Sequence, residues 1–203
     1  MLDSTLRKII DPPLNKVGRM ISSLPISANM MTLIGFGFGI IACGFVVFQF
    51  YYLALVFLIL NRLSDGLDGA IARVKNQSSD FGGYLDIVLD FFIYAGFPLC
   101  VGIGLMDLYA LSAAAFALFA IVTTGVSFLA YAIICAKRGL ETSHQGKKTF
   151  YFSNGLMEGT ETIIFLISLC LFPQYFVAMC FTFGLLCLIT TALRIRMAYH
   201  VFA

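Results

Sequence analysis

Four aspartates carry the chemistry that this sequence can offer. Asp65, Asp68, Asp86 and Asp90 lie in DGLDGAIARVKNQSSDFGGYLDIVLD, residues 65 to 90, within or beside stretches apolar enough to cross a membrane, and Asp80 sits in the polar gap. Carboxylates in lipid are costly and mark function by default. At about 100° per residue, Asp65, Asp68, Gly69, Ala72 and Arg73 share one helical arc of about 140°. Gly82, Asp86 and Asp90 climb one face of the following helix at spacings of four. The two helices run antiparallel, which places Asp68 and Asp65 about 9 and 13 Å deep, and Asp86 and Asp90 about 6 and 12 Å deep. The depths match, so the carboxylates can converge. Left unneutralised, such a cluster would hold protons against its own charge, and only Arg73 and Arg62 are near enough to help. Divalent cations are the economical remedy, and hard oxygen ligands suit Mg²⁺, Ca²⁺ or Mn²⁺. Four aspartates around two metals fit the movement of phosphoryl groups between oxygens. Gly69, Ala72 and Gly82 let a phosphate-bearing ligand approach the backbone, and Arg73 offers it a bidentate donor.

The elements that must position these residues are membrane helices. Of 203 residues 60% are hydrophobic and only 12% charged, which departs from soluble composition toward a membrane protein. The net charge of +2 is too small to imply a nucleic-acid partner, and there is no long basic run, so none is expected. Six candidate spans run approximately over 29–49, 51–74, 82–105, 108–136, 154–172 and 175–198. The joints FQFYY, LMD and FPQY hold no Lys or Arg, whereas the alternate joints and both ends hold the basic residues. The positive-inside rule therefore puts both termini and the aspartates at the cytoplasmic side. No cleavable signal is apparent, and the expected location is a bacterial inner membrane. The six cysteines, at 43, 100, 135, 170, 180 and 187, fall in apolar runs without CxxC spacing and read as small buried hydrophobes.

Two further features concern assembly. DPPLNKVGRMISSL reads as a short helix capped by Asp11, with Leu14, Val17, Met20, Ile21 and Leu24 on one face. Such a helix lies on the cytoplasmic membrane surface. The expected organisation is all-α: residues 1–26 form the N-terminal interfacial helix and 27–203 a six-helix transmembrane domain. Gly35 and Gly39 form a GxxxG for close helix packing.

The spacing D65-xx-D68-G69-xx-A72-R73-x8-G82-xxx-D86-xxx-D90 resembles the signature of the CDP-alcohol phosphatidyltransferases without gap or substitution. The likeness extends to the six-span layout with an N-terminal surface helix. It implies transfer of a substituted phosphate from a CDP-linked donor such as CDP-diacylglycerol to an alcohol, with release of CMP, in phospholipid biosynthesis. It also implies two Mg²⁺ or Mn²⁺ ions per subunit, the first held by Asp65, Asp68 and Asp86 and the second by Asp86 and Asp90. Asp90 would be the base for the acceptor hydroxyl. Gly69, Arg73 and Ser79 match donor contacts; Asn29 and Thr32 resemble the family's Pro-Asn…Thr opening of the first span, with Ala28 where proline is usual. A homodimer is expected from the same resemblance. The acceptor alcohol has no signature here.

Two other readings compete. The aspartates would be structural if they only capped helices or paired with Arg62, Arg73 and Lys75. A cation transporter or channel would also place acids in the membrane, but its site tends toward the midplane on interrupted helices. Here the acids sit in the cytoplasmic third. Finally, Glu158 and Glu161 enter the fifth span about 8 and 12 Å deep, at the depth of the aspartates. They are expected to line an acceptor pocket, against the alternative that they pair with Arg194 or Arg62 and hold the bundle together.

Overall fold

A computed structural model describes residues 13–18, 20, 25–139, 141–142, 149–150 and 156–203. Six helices dominate: α1 (Ala28–Val47), α2 (Tyr51–Lys75), α3 (Asp80–Leu105), α4 (Leu108–Lys137), α5 (Gly159–Leu171) and α6 (Phe176–Phe202). A two-residue antiparallel ladder, Glu141–Thr142 with Thr149–Phe150, lies between α4 and α5. By length and composition α1, α3, α4 and the Pro173–Phe202 stretch can each cross a membrane. The 25 residues of α2 are also long enough, but Arg62, Asp65 and Asp68 interrupt its apolar run. The 13 residues of α5 reach only about 20 Å at the helical rise.

Sharp reversals bring the first three helices together. Gln49, between α1 and α2, adopts positive φ and donates its side-chain amide to the Gly104 carbonyl at 2.7 Å. Asn76 ends α2 in the left-handed conformation, which asparagine tolerates better than most residues. Ser79 then caps α3, its hydroxyl accepting from the Gly82 N–H at 3.1 Å. Met106 repeats the left-handed reversal, and Asp107 caps α4 by accepting from the Ala110 N–H.

Packing follows the small residues. A Cβ at Gly35 would lie 2.8 Å from Cβ of Ser64 on α2, and one at Gly39 would lie 2.6 Å from Cδ1 of Ile93 on α3. The GxxxG of α1 thus seats two different neighbours. On α4, Ala110, Ala113, Ala114, Ala117 and Ala120 form a buried ridge. Gly125 continues it, and the ring of Phe91 on α3 occupies the space that a side chain there would need. Phe97, Leu58, Leu166 and Phe176 fill the centre, and Phe165 stacks on Phe183 with centroids 4.0 Å apart. Five of the six cysteines are buried and none is disulfide-bonded, as their apolar settings suggest.

Of the expected surface helix, residues 13–18 and 20 are helical. Leu14 packs against Gly66 of α2, and Gly18 lies against Ala70 one turn on. The rest of the expected helix, with Asp11, Ile21 and Leu24, lies outside the described residues.

Candidate active site

The site is built where α2 and α3 pass each other near the start of α1. Ligand oxygens from Asp65, Asp68 and Asp86 lie within 4.8 Å of one another. That separation follows from the spacing: Asp65 and Asp68 are neighbours on one helix face, and Asp86 faces them from α3. Asp68 is only 8% exposed, so its charge is largely withdrawn from water. Thr32 of α1 donates to its Oδ2 at 2.6 Å, which ties the opening turns of α1 to the cluster.

Asp90 belongs to the same crevice but stands outside that group of three. Its Oδ1 accepts from Nη2 of Arg62 at 2.7 Å, and its Oδ2 accepts from the Tyr94 hydroxyl at 3.0 Å. Arg62 also reaches Asp65, at 3.7 Å. The crevice is completed by Gly35, Phe36, Asn61 and Leu89.

Beside the three carboxylates opens a cleft of about 240 Å³, lined in part by Asp68 and Asp86. Five residues that the sequence marks for donor contact line it: Asn29, Gly69, Ala72, Ser79 and Gly82. Gln77, Ser78 and Gly83 line it as well, although nothing in their residue types or spacing singles them out. Gly82 is needed for a second reason besides ligand approach. A Cβ there would lie 2.9 Å from Oδ1 of Asn29 and 3.2 Å from Oγ of Ser79, so the glycine also lets α1 and α3 close up. Arg73 does not line the cleft. Its guanidinium folds back over Gly69, with Nη1 3.3 Å from where a Cβ would be, and Nη2 donates to Asn15 of the N-terminal segment at 3.0 Å.

Glu158 and Glu161 are not among the residues lining the crevice or the cleft. They form a capping box at the start of α5, where a Glu161 oxygen accepts from the Glu158 N–H at 3.2 Å. Glu158 also acts electrostatically on Arg194 of α6, so the alternative of a structural role has physical support.

Three clustered carboxylates with a hydroxyl donor behind one of them suit a hard divalent cation, whose charge would offset theirs. The donor set fits such an ion. Next to it, a cleft bordered by the first turns of α1 and α3 presents two helix N-termini, the polarity that favours phosphate.

The comparisons agree with this geometry. The family model for CDP-alcohol phosphatidyltransferase matches residues 25–193. The chain is similar to "Inner membrane protein YnjF" of Escherichia coli (strain K12), 42% identical over 199 residues that cover 98% of this chain and 96% of that protein. A shorter similarity, 37% over 87 residues, covers 43% of this chain and 46% of the archaetidylinositol phosphate synthase of Pyrococcus horikoshii. Another, 33% over 72 residues, covers 36% of this chain and 16% of a bifunctional IPC transferase and DIPP synthase of Thermococcus kodakarensis. With the aspartate spacing, its convergence in space and a family match over most of its length, the chain belongs to the CDP-alcohol phosphatidyltransferase family.

Proposed function

We propose that the protein transfers a phosphatidyl group from a CDP-linked lipid, such as CDP-diacylglycerol, to a small alcohol in the membrane. The observation that carries this reading is the position of Asp65, Asp68 and Asp86 beside a cleft lined by Asn29, Gly69, Ala72, Ser79 and Gly82. Asp65, Asp68 and Asp86 would hold one Mg²⁺ or Mn²⁺ ion, and Asp86 with the remaining lone pairs of Asp90 a second. Such ions supply charge neutralisation at the pyrophosphate and acidify a nearby hydroxyl.

The chain's own residues do the rest. The N-terminal turns of α1 and α3 orient the donor's phosphates by their amides and dipoles. The lack of side chains at Gly69 and Gly82 lets the donor lie against the backbone. Arg73, at the cleft's edge, is placed to swing from Asn15 to a phosphate oxygen. Asp90 takes the proton of the acceptor hydroxyl. The acceptor oxygen then forms its bond to the lipid-bearing phosphorus as the bond from that phosphorus to CMP breaks, and CMP leaves with the electron pair.

The membrane arrangement belongs to the same proposal. The six helices cross in sequence with both termini and the cleft in the cytoplasm. The N-terminal segment rests on α2 through Leu14 and Gly18, as an interfacial element ahead of the transmembrane domain of 27–203. The subunit pairs as a homodimer. An acceptor that reaches the start of α5 would meet Glu158 and Glu161, which cap that helix. Carboxylates there favour an uncharged or amino alcohol over a phosphorylated one.

Purified protein supplied with CDP-diacylglycerol and a panel of alcohols should release CMP with at least one of them. Excess EDTA should abolish that release and Mg²⁺ or Mn²⁺ should restore it. Full release in EDTA would refute the metal reading, and no release with any CDP-linked lipid would refute the reaction.

A further inference from the structure

Asp90 differs from the other three aspartates in accepting a close hydrogen bond from a cation. Arg62 is fixed from several sides: Nε donates to Oδ1 of Asn61 at 2.8 Å, Nη1 to the Tyr94 hydroxyl at 2.9 Å, and Nη2 to Asp90 at 2.7 Å. Asn61 is itself anchored, because its Nδ2 donates to the Gly35 carbonyl on α1 at 2.9 Å. Tyr94 lies one helical turn beyond Asp90, which lets its hydroxyl accept from Arg62 and donate to Asp90. A relay of hydrogen bonds thus runs from the α1 backbone through Asn61 and Arg62 to Asp90, and Tyr94 closes it from α3.

We propose that Arg62, locked by Asn61 and Tyr94, is the positioning residue of Asp90, and that it sets this carboxylate apart for proton transfer even while Asp90 shares the second cation with Asp86. The proposal rests on the reading of Asp90 as the acceptor's base. Four ionised carboxylates in one crevice carry four negative charges, and a single fixed guanidinium offsets one. Its contact with Asp90 is a charge-assisted hydrogen bond of 2.7 Å, whereas its approach to Asp65 is 3.7 Å. The charge is therefore spent on Asp90. The three that it does not hydrogen-bond are the three whose oxygens converge within 4.8 Å. Each Asp90 oxygen accepts one of these hydrogen bonds and keeps further lone-pair capacity, so the carboxylate is held in one rotamer and still open toward the crevice. A base fixed before substrate arrives needs no reorganisation during proton transfer.

The test uses the purified full chain. Tyr94→Phe removes one hydroxyl and leaves the ring. It should lower kcat about tenfold, with KM for CDP-diacylglycerol changed by less than about twofold. Arg62→Gln should lower kcat about a hundredfold, and Arg62→Lys should recover part of that loss. Thermal unfolding supplies a readout independent of turnover. Arg62→Gln should unfold earlier than the unaltered protein in EDTA, and Mn²⁺ should return more stability to it than to the unaltered protein, because the cations then offset the charge that the guanidinium no longer does. An arginine that merely braced the bundle would lower stability equally in both conditions. Unchanged kcat in Tyr94→Phe, or an Arg62→Gln deficit identical with and without Mn²⁺, overturns the proposal. If Arg62→Gln does not fold, the kcat and KM of Tyr94→Phe decide alone. If the unaltered protein releases no CMP, the functional reading fails separately, and the two unfolding curves still judge Arg62.

Discussion

Arg62 on α2 and Arg194 on α6 are both drawn into the bundle, yet their surroundings differ in kind. Arg62 meets carboxylates, Asp90 closely and Asp65 at longer range. Arg194, only 5% exposed, directs Nη1 at neutral oxygens of α4: the Thr124 carbonyl at 2.9 Å, its hydroxyl at 3.3 Å and the Ser127 hydroxyl at 3.4 Å. Its guanidinium lies 5.3 Å from the Phe128 ring centroid. The first arginine therefore sets charge within a cluster, while the second ties α6 to α4 and interacts electrostatically with Glu158 at the start of α5. The comparison separates the molecule into a first half that concentrates charge in one crevice and a second half that mainly packs. The alanine ridge of α4 and the Phe165–Phe183 stack belong to the packing half.

The largest expected effect tests the charged half. Asp90→Asn should reduce turnover by about 10²–10⁴-fold, the range for removal of a general base, while CDP-lipid binding persists. Asp68→Asn should weaken binding as well as turnover, because its oxygen belongs to the converging group. Turnover of the Asp90 variant close to that of the unaltered protein, measured by CMP release, would erase the distinction between the aspartates.

A smaller effect addresses Arg194. Arg194→Leu leaves hydrogen-bonding oxygens on Thr124 and Ser127 without that donor, at a cost of about 1–3 kcal/mol. At about 2–4 °C per kcal/mol, its melting temperature should fall by several degrees. The fall should be the same in EDTA and in Mn²⁺, unlike that of Arg62→Gln. A metal-dependent deficit would place Arg194 in the charged half after all.

The smallest effect concerns α5. Gln serves as well as Glu at the third position of a capping box, so Glu161→Gln should cost less than about 0.5 kcal/mol in unfolding. A raised KM for the acceptor in that stable variant sharpens the acceptor assignment. An unchanged KM leaves Glu161 with its capping role alone.

The aspartate cluster was legible because helical spacing fixes a face and antiparallel helices fix depth, both local facts. Asn29, Gly69, Ala72, Ser79 and Gly82 were legible by resemblance, and the structure does bring them to one cleft. Arg62 was recognisable only as a nearby cation. Its partner Tyr94 was overlooked, although its place one turn after Asp90 was a readable signal. Asn61 was not readable, because its partner is a backbone carbonyl on α1. Arg73 shows the limit from the other side: its residue type suggests a ligand, yet its bond to Asn15 depends on where the N-terminal segment docks. The start of α5 differs from the expected span for a local reason. Glu158 sits where Ser, Thr, Asp or Asn is the more familiar cap, so a helix boundary read as the interior of a span that began near 154.

The pocket at Gly125 has a consequence for how the protein tolerates change. Phe91, which fills it, follows Asp90 in sequence and meets the ring of Tyr94 edge-on, with centroids 6.1 Å apart. A methyl group introduced at 125 must displace that ring, which packs on the ring of Tyr94 and follows Asp90 directly in the chain. Random mutagenesis scored by lost activity would thus recover Gly125 substitutions on α4, a helix that contributes no residue to the crevice lining. Mutational sensitivity in this protein follows the route of van der Waals contact and extends one helix beyond the chemistry.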